Sequence, residues 1–310
     1  MKAVIYTEYG SPDVLQLTEV AKPAPRDHEL LIRNYATTVT AGDCRMRRAE
    51  PFAARLYNGL VKPRKVNILG FELAGEVEAV GEQVKQFKQG DLVFAFTGFN
   101  FGAYAEYKCI PEAAKAIKNG FVAIKPANLT FEEAAAIPGA GLTALSILRR
   151  GQITQGQKVL VYGASGAVGT YAVQLARYYG AEVTGVTSRA NRDLVKSLGA
   201  VQVLDYTKED FIRRDETYDV IFDAVAKLPR ARRMVGLKDN GVFLSAHDSS
   251  NPTLEDLVFL KELVEAGEIK PVVDRCYPLE QIAEAHRYVD TGHKRGNVVI
   301  TIAPSRLGYN

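Results

Sequence analysis

The chain reads as an α/β protein: a doubly wound parallel sheet with helices on both faces, joined to a β-barrel-type domain. Three observations predict this. From Lys158 onward, short apolar runs alternate with helix-like segments. One of those runs, Val159-Leu160-Val161-Tyr162, leads directly into closely spaced glycines and then into a helix-like stretch. The first part of the chain instead carries many short strand-like runs separated by Gly, Pro and Asp.

The glycine segment is KVLVYGASGAVGTYAVQLARYYG, Lys158 to Gly180. Aligned on the dinucleotide-binding pattern G-x-G-x-x-G, its three positions are Ala164, Gly166 and Gly169. The first needs a small residue in a tight turn, Gly166 admits a pyrophosphate close to the backbone, and Gly169 lets the helix lie against the strand. The N–H groups of residues 166 to 169 are expected to face the anion, aided by the helix dipole. The next strand-like run, Glu182 to Thr187, ends in Thr187-Ser188-Arg189. An NAD site places a carboxylate at this distance to bind the ribose hydroxyls. A hydroxyl and a guanidinium favour a 2′-phosphate instead, which points to NADPH.

Composition bounds the rest. With 310 residues, 47% of them hydrophobic, the chain can bury a large core, and two domains are expected. Its 39 basic and 36 acidic residues are interspersed, so neither a nucleic-acid nor a membrane partner is expected. No signal-peptide h-region opens the sequence, and no apolar run approaches the roughly 18 residues of a membrane span. Cys44, Cys109 and Cys276 are odd in number and scattered, which fits reduced thiols and a cytoplasmic location.

Along the chain, strand-like runs lie at Ala3–Tyr6, Leu30–Arg33, Leu73–Val80 and Leu92–Phe94. Arg45 to Val66 is basic and shows no clear periodicity, so it reads as an excursion over a site. Thr130 followed by Phe131-Glu132-Glu133 marks a helix start, interrupted at Pro138 and resumed over Leu142–Arg150. Strands are expected at 158–162, 182–187, 201–205, 219–223 and 241–246, with helices at 168–179, 190–198, 207–213 and 229–236. Leu254–Ala266 reads as an amphipathic helix stopped by Gly267. A strand near 272–276, a helix at 279–289 and the run Asn297–Ile302 follow, and this tail is expected to rejoin the first domain.

Taken together these stretches resemble a known family. The opening MKAVIYTEYGSPDVL, then ILGFELAGEVEAVGEQVKQFKQGDLVF, GAYAEY, IPGAGLTAL, VLVYGASGAVGTYAVQLA, VTGVTSRAN, SLGA, VLDYTKEDF, YDVIFDAV and RGNVVIT are similar to the medium-chain dehydrogenase/reductase superfamily. Within it they resemble the zinc-free quinone oxidoreductase (zeta-crystallin-like) and enone reductase branch. The resemblance implies a discontinuous GroES-like catalytic domain over 1–122 and 270–310 and a Rossmann NADPH-binding domain over 123–269. Zinc-dependent members carry Cys where this chain has Thr40 and His where it has Phe71. Their structural-zinc lobe falls where this chain has Gly98-Phe99-Asn100-Phe101-Gly102. Thr and Phe cannot replace thiolate and imidazole around tetrahedral zinc, so no metal ligand is expected, and His28, His247, His286 and His293 are not in ligand spacing.

By the same resemblance Thr143 contacts the cofactor near the nicotinamide, and Ser165, Gly166, Ala167 and Val168 line the pyrophosphate turn. Ser188, Arg189 and Tyr206 hold the 2′-phosphate. Ala224, Val225 and Ser245 face the nicotinamide ribose, and Asn297 closes from the tail. Two departures stand out. Many relatives carry Asn at the position of Thr40. Relatives also have a further strand after the position of Ser245, which pairs across a dimer, whereas this chain runs almost directly into the helix at Leu254. A monomer, or a dimer formed by another surface, is therefore expected.

The expected activity is zinc-independent hydride transfer from NADPH to a quinone or an α,β-unsaturated carbonyl. Hydride delivery to an enone leaves an enolate that needs a hydrogen bond, and Thr40, Arg45 and Tyr57 are the candidate donors, with backbone N–H groups besides. An NADPH-binding sensor or structural protein with little turnover is the alternative. Enoyl reduction on a carrier protein would need a basic docking patch, for which Arg45, Arg47, Arg48, Arg55, Lys62, Arg64 and Lys65 are available.

Overall fold

The computed structural model describes residues 1–113, 117–207 and 216–303. The chain begins with an antiparallel pair, β1 (Lys2–Ile5) and β2 (Gln16–Glu19). The long strand β3 (Glu29–Val39) follows, with every residue from Asn34 to Val39 buried. Two short helices come next, α1 (Ala41–Arg48) and α2 (Ala53–Asn58), in the stretch whose sequence shows no period. At eight and six residues they are too short for a periodicity to register. Local capping sets α1: the Thr40 side chain accepts from the Asp43 N–H, the Asp43 carboxylate accepts from the Thr40 N–H, and Ala49 ends the helix in the left-handed region with φ 55°.

Four strands complete this part: β4 (Glu72–Val80), β5 (Leu92–Phe96), β6 (Tyr107–Pro111) and β7 (Phe121–Ile124). Helix α3 (Phe131–Ala135) opens on a Thr130–Glu133 capping box, and α4 (Pro138–Leu148) starts on a proline, whose missing N–H costs nothing in a first turn. Then strands and helices alternate: β8 (Lys158–Tyr162), α5 (Ala167–Tyr178), β9 (Glu182–Thr187), α6 (Arg192–Ser197), β10 (Gln202–Asp205), β11 (Tyr218–Asp223), α7 (Arg230–Gly236) and β12 (Leu237–Ser245). The chain closes with α8 (Leu254–Glu265), β13 (Val273–Pro278), α9 (Ile282–Asp290) and β14 (Asn297–Thr301).

Two compact units result. One comprises Met1–Gly139, Thr253–Lys261 and Val273–Asn310; the other comprises Ala140–Pro252 and Glu262–Val272. In the first, a sheet runs in the order β13-β14-β3-β4-β5-β7, with β6 pairing β3 as well. The tail strand β14 lies antiparallel to β3, Val298 opposite Val39. The expected boundary at 122/123 would cut β7, which pairs with β5, and the first unit instead continues to Gly139. One apolar core of this unit gathers Leu30, Ile32, Leu73, Val77, Val93 and Val122 from the sheet, and another gathers Val4, Tyr6, Val39, Leu69, Phe101 and Tyr104 with α9.

The second unit holds a parallel five-stranded sheet ordered β10-β9-β8-β11-β12. The order runs outward in both directions from β8, whose Val159, Leu160 and Val161 are fully buried, as a central strand covered on both faces requires. β12 starts at Leu237, ahead of the expected 241–246, through an irregular pairing with Tyr218. From 208 onward the helix expected at 207–213 lies outside the described residues. Residues 246–253 carry no strand, so β12 stands at the sheet's end among the described residues.

Polar groups are also sealed into the first unit. The Glu72 carboxylate on β4 accepts from the Thr38 hydroxyl and the Gly139 N–H, and burial pushes its pKa up to about 7 despite these partners and the Lys294 ammonium. Between its ordinary pKa and 7 the folded protein holds a proton the unfolded chain releases, so this group's contribution to stability falls as pH rises through that window. Replacing it with Glu72→Gln removes that slope. In paired denaturant titrations the variant should gain on the wild type between acidic and mildly alkaline pH, by on the order of 3 kcal/mol, and parallel curves would contradict the buried ionisation.

Candidate cofactor and active site

The cofactor turn is built where β8 meets α5. Gly163 leaves the strand with φ +78°, and a Cβ there would stand 2.7 Å from Val225 Cγ1. A Cβ on Gly169 would stand 2.1 Å from the Gly163 carbonyl oxygen and 2.9 Å from Ala164 Cα, so only glycine lets α5 approach this closely. Gly166 differs. A Cβ on it would find only the Gly163 oxygen, at 3.5 Å, an ordinary contact. Nothing in the packing of the described residues requires glycine there, and the space beside it admits close approach of a ligand.

One expectation needs correction. The Gly166 N–H does not face an anion; it donates to the Gly163 carbonyl at 3.1 Å. The donors that a helix start leaves without an intrahelical acceptor are those of Ala167, Val168 and Gly169. Gly166 is the N-cap, and no side chain caps this end. The dipole of a twelve-residue helix therefore opens toward the turn.

The C-terminal ends of the neighbouring strands bring most of the predicted cofactor residues together. Ser165 Oγ accepts from Thr187 Oγ1 at 2.7 Å and from Asn191 Nδ2 at 3.1 Å, and Asn191 Nδ2 also reaches Ser188 Oγ at 3.4 Å. Asn191 is thus a bridging residue that the sequence reading missed, since an asparagine in a loop carries no spacing signal. Arg189 is exposed at the start of a single 3-10 turn. Register places Asp205 beside Thr187, and the Tyr206 N–H donates to the Thr187 carbonyl at 3.3 Å, so Tyr206 stands next to Ser188 and Arg189 with its side chain exposed.

On the other side of β8, Ala224 N–H donates to the Tyr162 carbonyl at 2.9 Å, and Ser245 lies opposite Asp223. Asp223, also missed, organises this edge: its carboxylate accepts from the N–H groups of Val225 at 3.1 Å and Leu228 at 2.7 Å, and its carbonyl from Ala246 at 2.9 Å. Thr143 lies on α4 in the same unit and is half-buried. Asn297 belongs to the first unit, buried at the start of β14. The open side of Gly166, the helix start and the hydroxyl and guanidinium groups after β9 fit a phosphorylated dinucleotide in this unit.

Thr40, Arg45 and Tyr57 all lie in the first unit. The Thr40 hydroxyl is engaged on two sides: it donates to Asp43 Oδ2 at 2.6 Å and accepts from the Asp43 N–H at 3.1 Å. Asp43 also accepts from the Gly70 N–H at 2.9 Å, and its complete burial pushes its pKa up to about 6. The T-x-x-D spacing of a capping box was the signal that could have found it. Tyr57 donates its hydroxyl proton to the Phe99 carbonyl at 2.8 Å, with the Lys65 ammonium 3.8 Å above its ring. Arg45 is exposed on α1. Arg47, included in the basic set, is fully buried and paired with Asp290, which also takes Arg48. That basic cluster is therefore smaller than the sequence suggests.

The position where zinc-dependent relatives carry His is Phe71, stacked on Phe96 at 6.1 Å and tilted against Phe101 at 4.1 Å. With the capped Thr40 hydroxyl at the other position, this donor set does not fit tetrahedral zinc. His286 is buried between Cys44 Sγ at 3.4 Å and the Tyr104 hydroxyl at 3.2 Å, and burial lowers its pKa to about 3. A separate cavity of about 480 Å³, lined by Arg26, Glu29, Asn100, Lys108 and Cys109 among others, contains none of the predicted site residues.

A family described as "Alcohol dehydrogenase GroES-like domain" matches residues 26–119, and one described as "Zinc-binding dehydrogenase" matches 167–245. The chain is 35% identical to a 2-methylene-furan-3-one reductase of Solanum lycopersicum, over 98% of this chain and 80% of that one. It is 31% identical to the quinone oxidoreductase of Sus scrofa, over 96% and 95% of the two chains. Among solved structures, the quinone oxidoreductase from Coxiella burnetii superimposes with a TM-score of 0.82 at 29% identity, over 98% of this chain and 99% of that one. The chain belongs to the medium-chain dehydrogenase/reductase superfamily, in its quinone oxidoreductase and enone reductase branch.

The groups after β9 make a specific prediction. Arg189→Glu should raise the KM for NADPH by about tenfold or more and leave that for NADH nearly unchanged. Equal losses with both cofactors would mean that Arg189 does not contact the 2′-phosphate.

Proposed function

We propose that this protein is an NADPH-dependent, zinc-independent reductase of quinones and α,β-unsaturated carbonyls. The observation that carries this reading is the turn at Gly166, open on its ligand side and flanked by Ser188 and Arg189 in place of a carboxylate. The relatives support it: one is named an NADPH-dependent alkenal/one oxidoreductase of Arabidopsis thaliana, 32% identical over 98% of this chain. Bound NADPH supplies a hydride; with one proton from solvent, a quinone becomes a hydroquinone and an enone its saturated ketone. Ala167, Val168 and Gly169 hold the pyrophosphate, Ser188, Arg189 and Tyr206 the 2′-phosphate, and Ala224, Val225 and Ser245 the nicotinamide side. Thr143, in the same unit, is a further cofactor contact. The three free cysteines fit a reducing compartment such as the cytoplasm.

Among the candidate donors, Thr40 is preferred, acting with Asp43. A hydroxyl has one proton to give, and the ionised Asp43 takes it. Once Asp43 is protonated, near pH 6, the Thr40 hydroxyl is released to donate to the developing oxyanion of the substrate. Tyr57 ranks below Thr40, since its hydroxyl proton is committed to the Phe99 carbonyl, and Arg45 is assigned to substrate contact.

The test is oxidation of NADPH in the presence of benzoquinone, phenanthrenequinone and a short enone, followed by absorbance. Turnover with at least one acceptor is expected. Tight NADPH binding without oxidation of any would favour the sensor reading instead. Enone reduction should quicken as pH falls through about 6, and Asp43→Asn should flatten that profile. We also propose that the chain is monomeric or pairs by a surface other than β12, because no strand follows β12 in residues 246–253. Light scattering on a purified sample, with disulfide trapping along β12, would expose a pairing of those edges.

A further inference from the structure

The segment after α1 presents, besides Tyr57, an apolar and cationic surface to which the proposed reaction gives no role. Phe52, Leu56, Leu60 and Val61 are 65%, 69%, 59% and 85% exposed, and Phe99, whose carbonyl binds Tyr57, is 45% exposed. Phe52, Leu56, Leu60 and Val61 thus place four large apolar side chains, each more than half exposed, within ten residues of sequence. From Pro51 to Phe71 the sequence carries Arg55, Lys62, Arg64 and Lys65 and no carboxylate. The balanced charge of the whole chain, which argues against a membrane partner, conceals this local excess.

The surface is formed rather than frayed. Asn58 is buried and pins both ends of the loop: its Nδ2 donates to the Tyr6 hydroxyl at 2.8 Å and the Val66 carbonyl at 2.9 Å, while its Oδ1 accepts from the N–H groups of Lys65 at 3.1 Å and Val66 at 2.7 Å. The Tyr9 hydroxyl donates to the Gly59 carbonyl at 2.7 Å, and Arg55 reaches the Leu60 carbonyl at 3.1 Å. With the backbone held, Leu60 and Val61 stand in water instead of turning inward. Lys62 and Arg64, which follow them directly, are exposed.

Apolar side chains flanked by lysine and arginine, with no acid among them, have the chemistry of an interfacial anchor: the apolar groups enter the acyl boundary and the cations meet anionic headgroups. No helix is long and apolar enough to cross a membrane among the described residues, so the contact is peripheral. We infer that residues 52–65 dock on an anionic bilayer surface, from which the enzyme takes a lipophilic quinone dissolved in the membrane. The substrate part of this inference rests on the function proposed above; the docking part does not.

The experiment is co-sedimentation of the full chain with vesicles of phosphatidylcholine alone and of phosphatidylcholine with about 30 mol% phosphatidylserine, at low and high salt. Binding to the anionic vesicles, weakened by salt, is expected. The double variant Lys62→Glu/Arg64→Glu should bind about tenfold or more weakly, and Leu60→Gln/Val61→Gln should bind more weakly at every salt concentration. Both should retain the wild-type melting temperature and its rate with benzoquinone in vesicle-free buffer. Equal binding to both vesicle types, no binding, or loss of the exposed patch to a dimer seen by light scattering would each overturn the docking. Docking without any NADPH oxidation would sink the proposed activity alone, whereas oxidation of benzoquinone without docking would sink this inference alone. With both intact, wild-type reduction of a long-chain quinone carried in the anionic vesicles should exceed that of the charge-reversed pair by about the ratio of their binding.

Discussion

Helix α5 lies against the end of β8 at a separation that only one side chain permits, because a Cβ on Gly169 would meet the Gly163 oxygen at 2.1 Å. That contact aims the first turn of α5 across the end of the sheet. It also sets the turn itself, in which Gly166 donates back to Gly163 and the three following N–H groups are left to an incoming anion. The side chains proposed to select the cofactor come from the ends of the adjoining strands. A shift of α5 away from β8 would carry the turn with it and separate the Ser165 hydroxyl from Thr187 and Asn191.

The first unit is held by a different constraint, the satisfaction of polar groups sealed from water. Asp43 and Glu72 are wholly buried carboxyls, and each accepts from a backbone N–H and a threonine hydroxyl. These hydrogen bonds favour the ionised forms, yet desolvation outweighs them and both pKa values rise. Such groups are costly to keep and specify one arrangement, because any slip of α1 or β4 would leave a buried carboxyl without donors. Arg47 shows the limit: its guanidinium pairs with Asp290, while Nε and Nη1 find no acceptor among the described residues. The proximity of Asp43 to Thr40 links this buried chemistry to the proposed oxyanion donor.

The loop after α1 combines these two themes. Its backbone is fixed by the Asn58 side chain through three hydrogen bonds, a fourth ties that side chain to the Tyr6 hydroxyl, and this rigidity keeps apolar side chains outside. Burying them against the protein would require the loop to release Asn58 into a dry interior without partners. A surface held open in this way has a stable shape to offer, and its cations reinforce whatever anionic face it meets.

The sequence alone determined the alternation of strands and helices in the second unit, the glycine turn and the replacement of the ribose-binding carboxylate by Ser188 and Arg189. Each of these is local: a strand, a turn or a cap is written in residues a few positions apart. The helices α1 and α2 escaped because they are shorter than the window in which a period shows. Only the tertiary structure decided that Arg47 is buried and Arg64 exposed, that Asn191 bridges Ser165 and Ser188, and that Gly139 supplies a donor to Glu72. Those facts depend on which distant segments meet, and burial, which sets the pKa of Asp43 and Glu72, belongs to the packed chain and to no stretch of it.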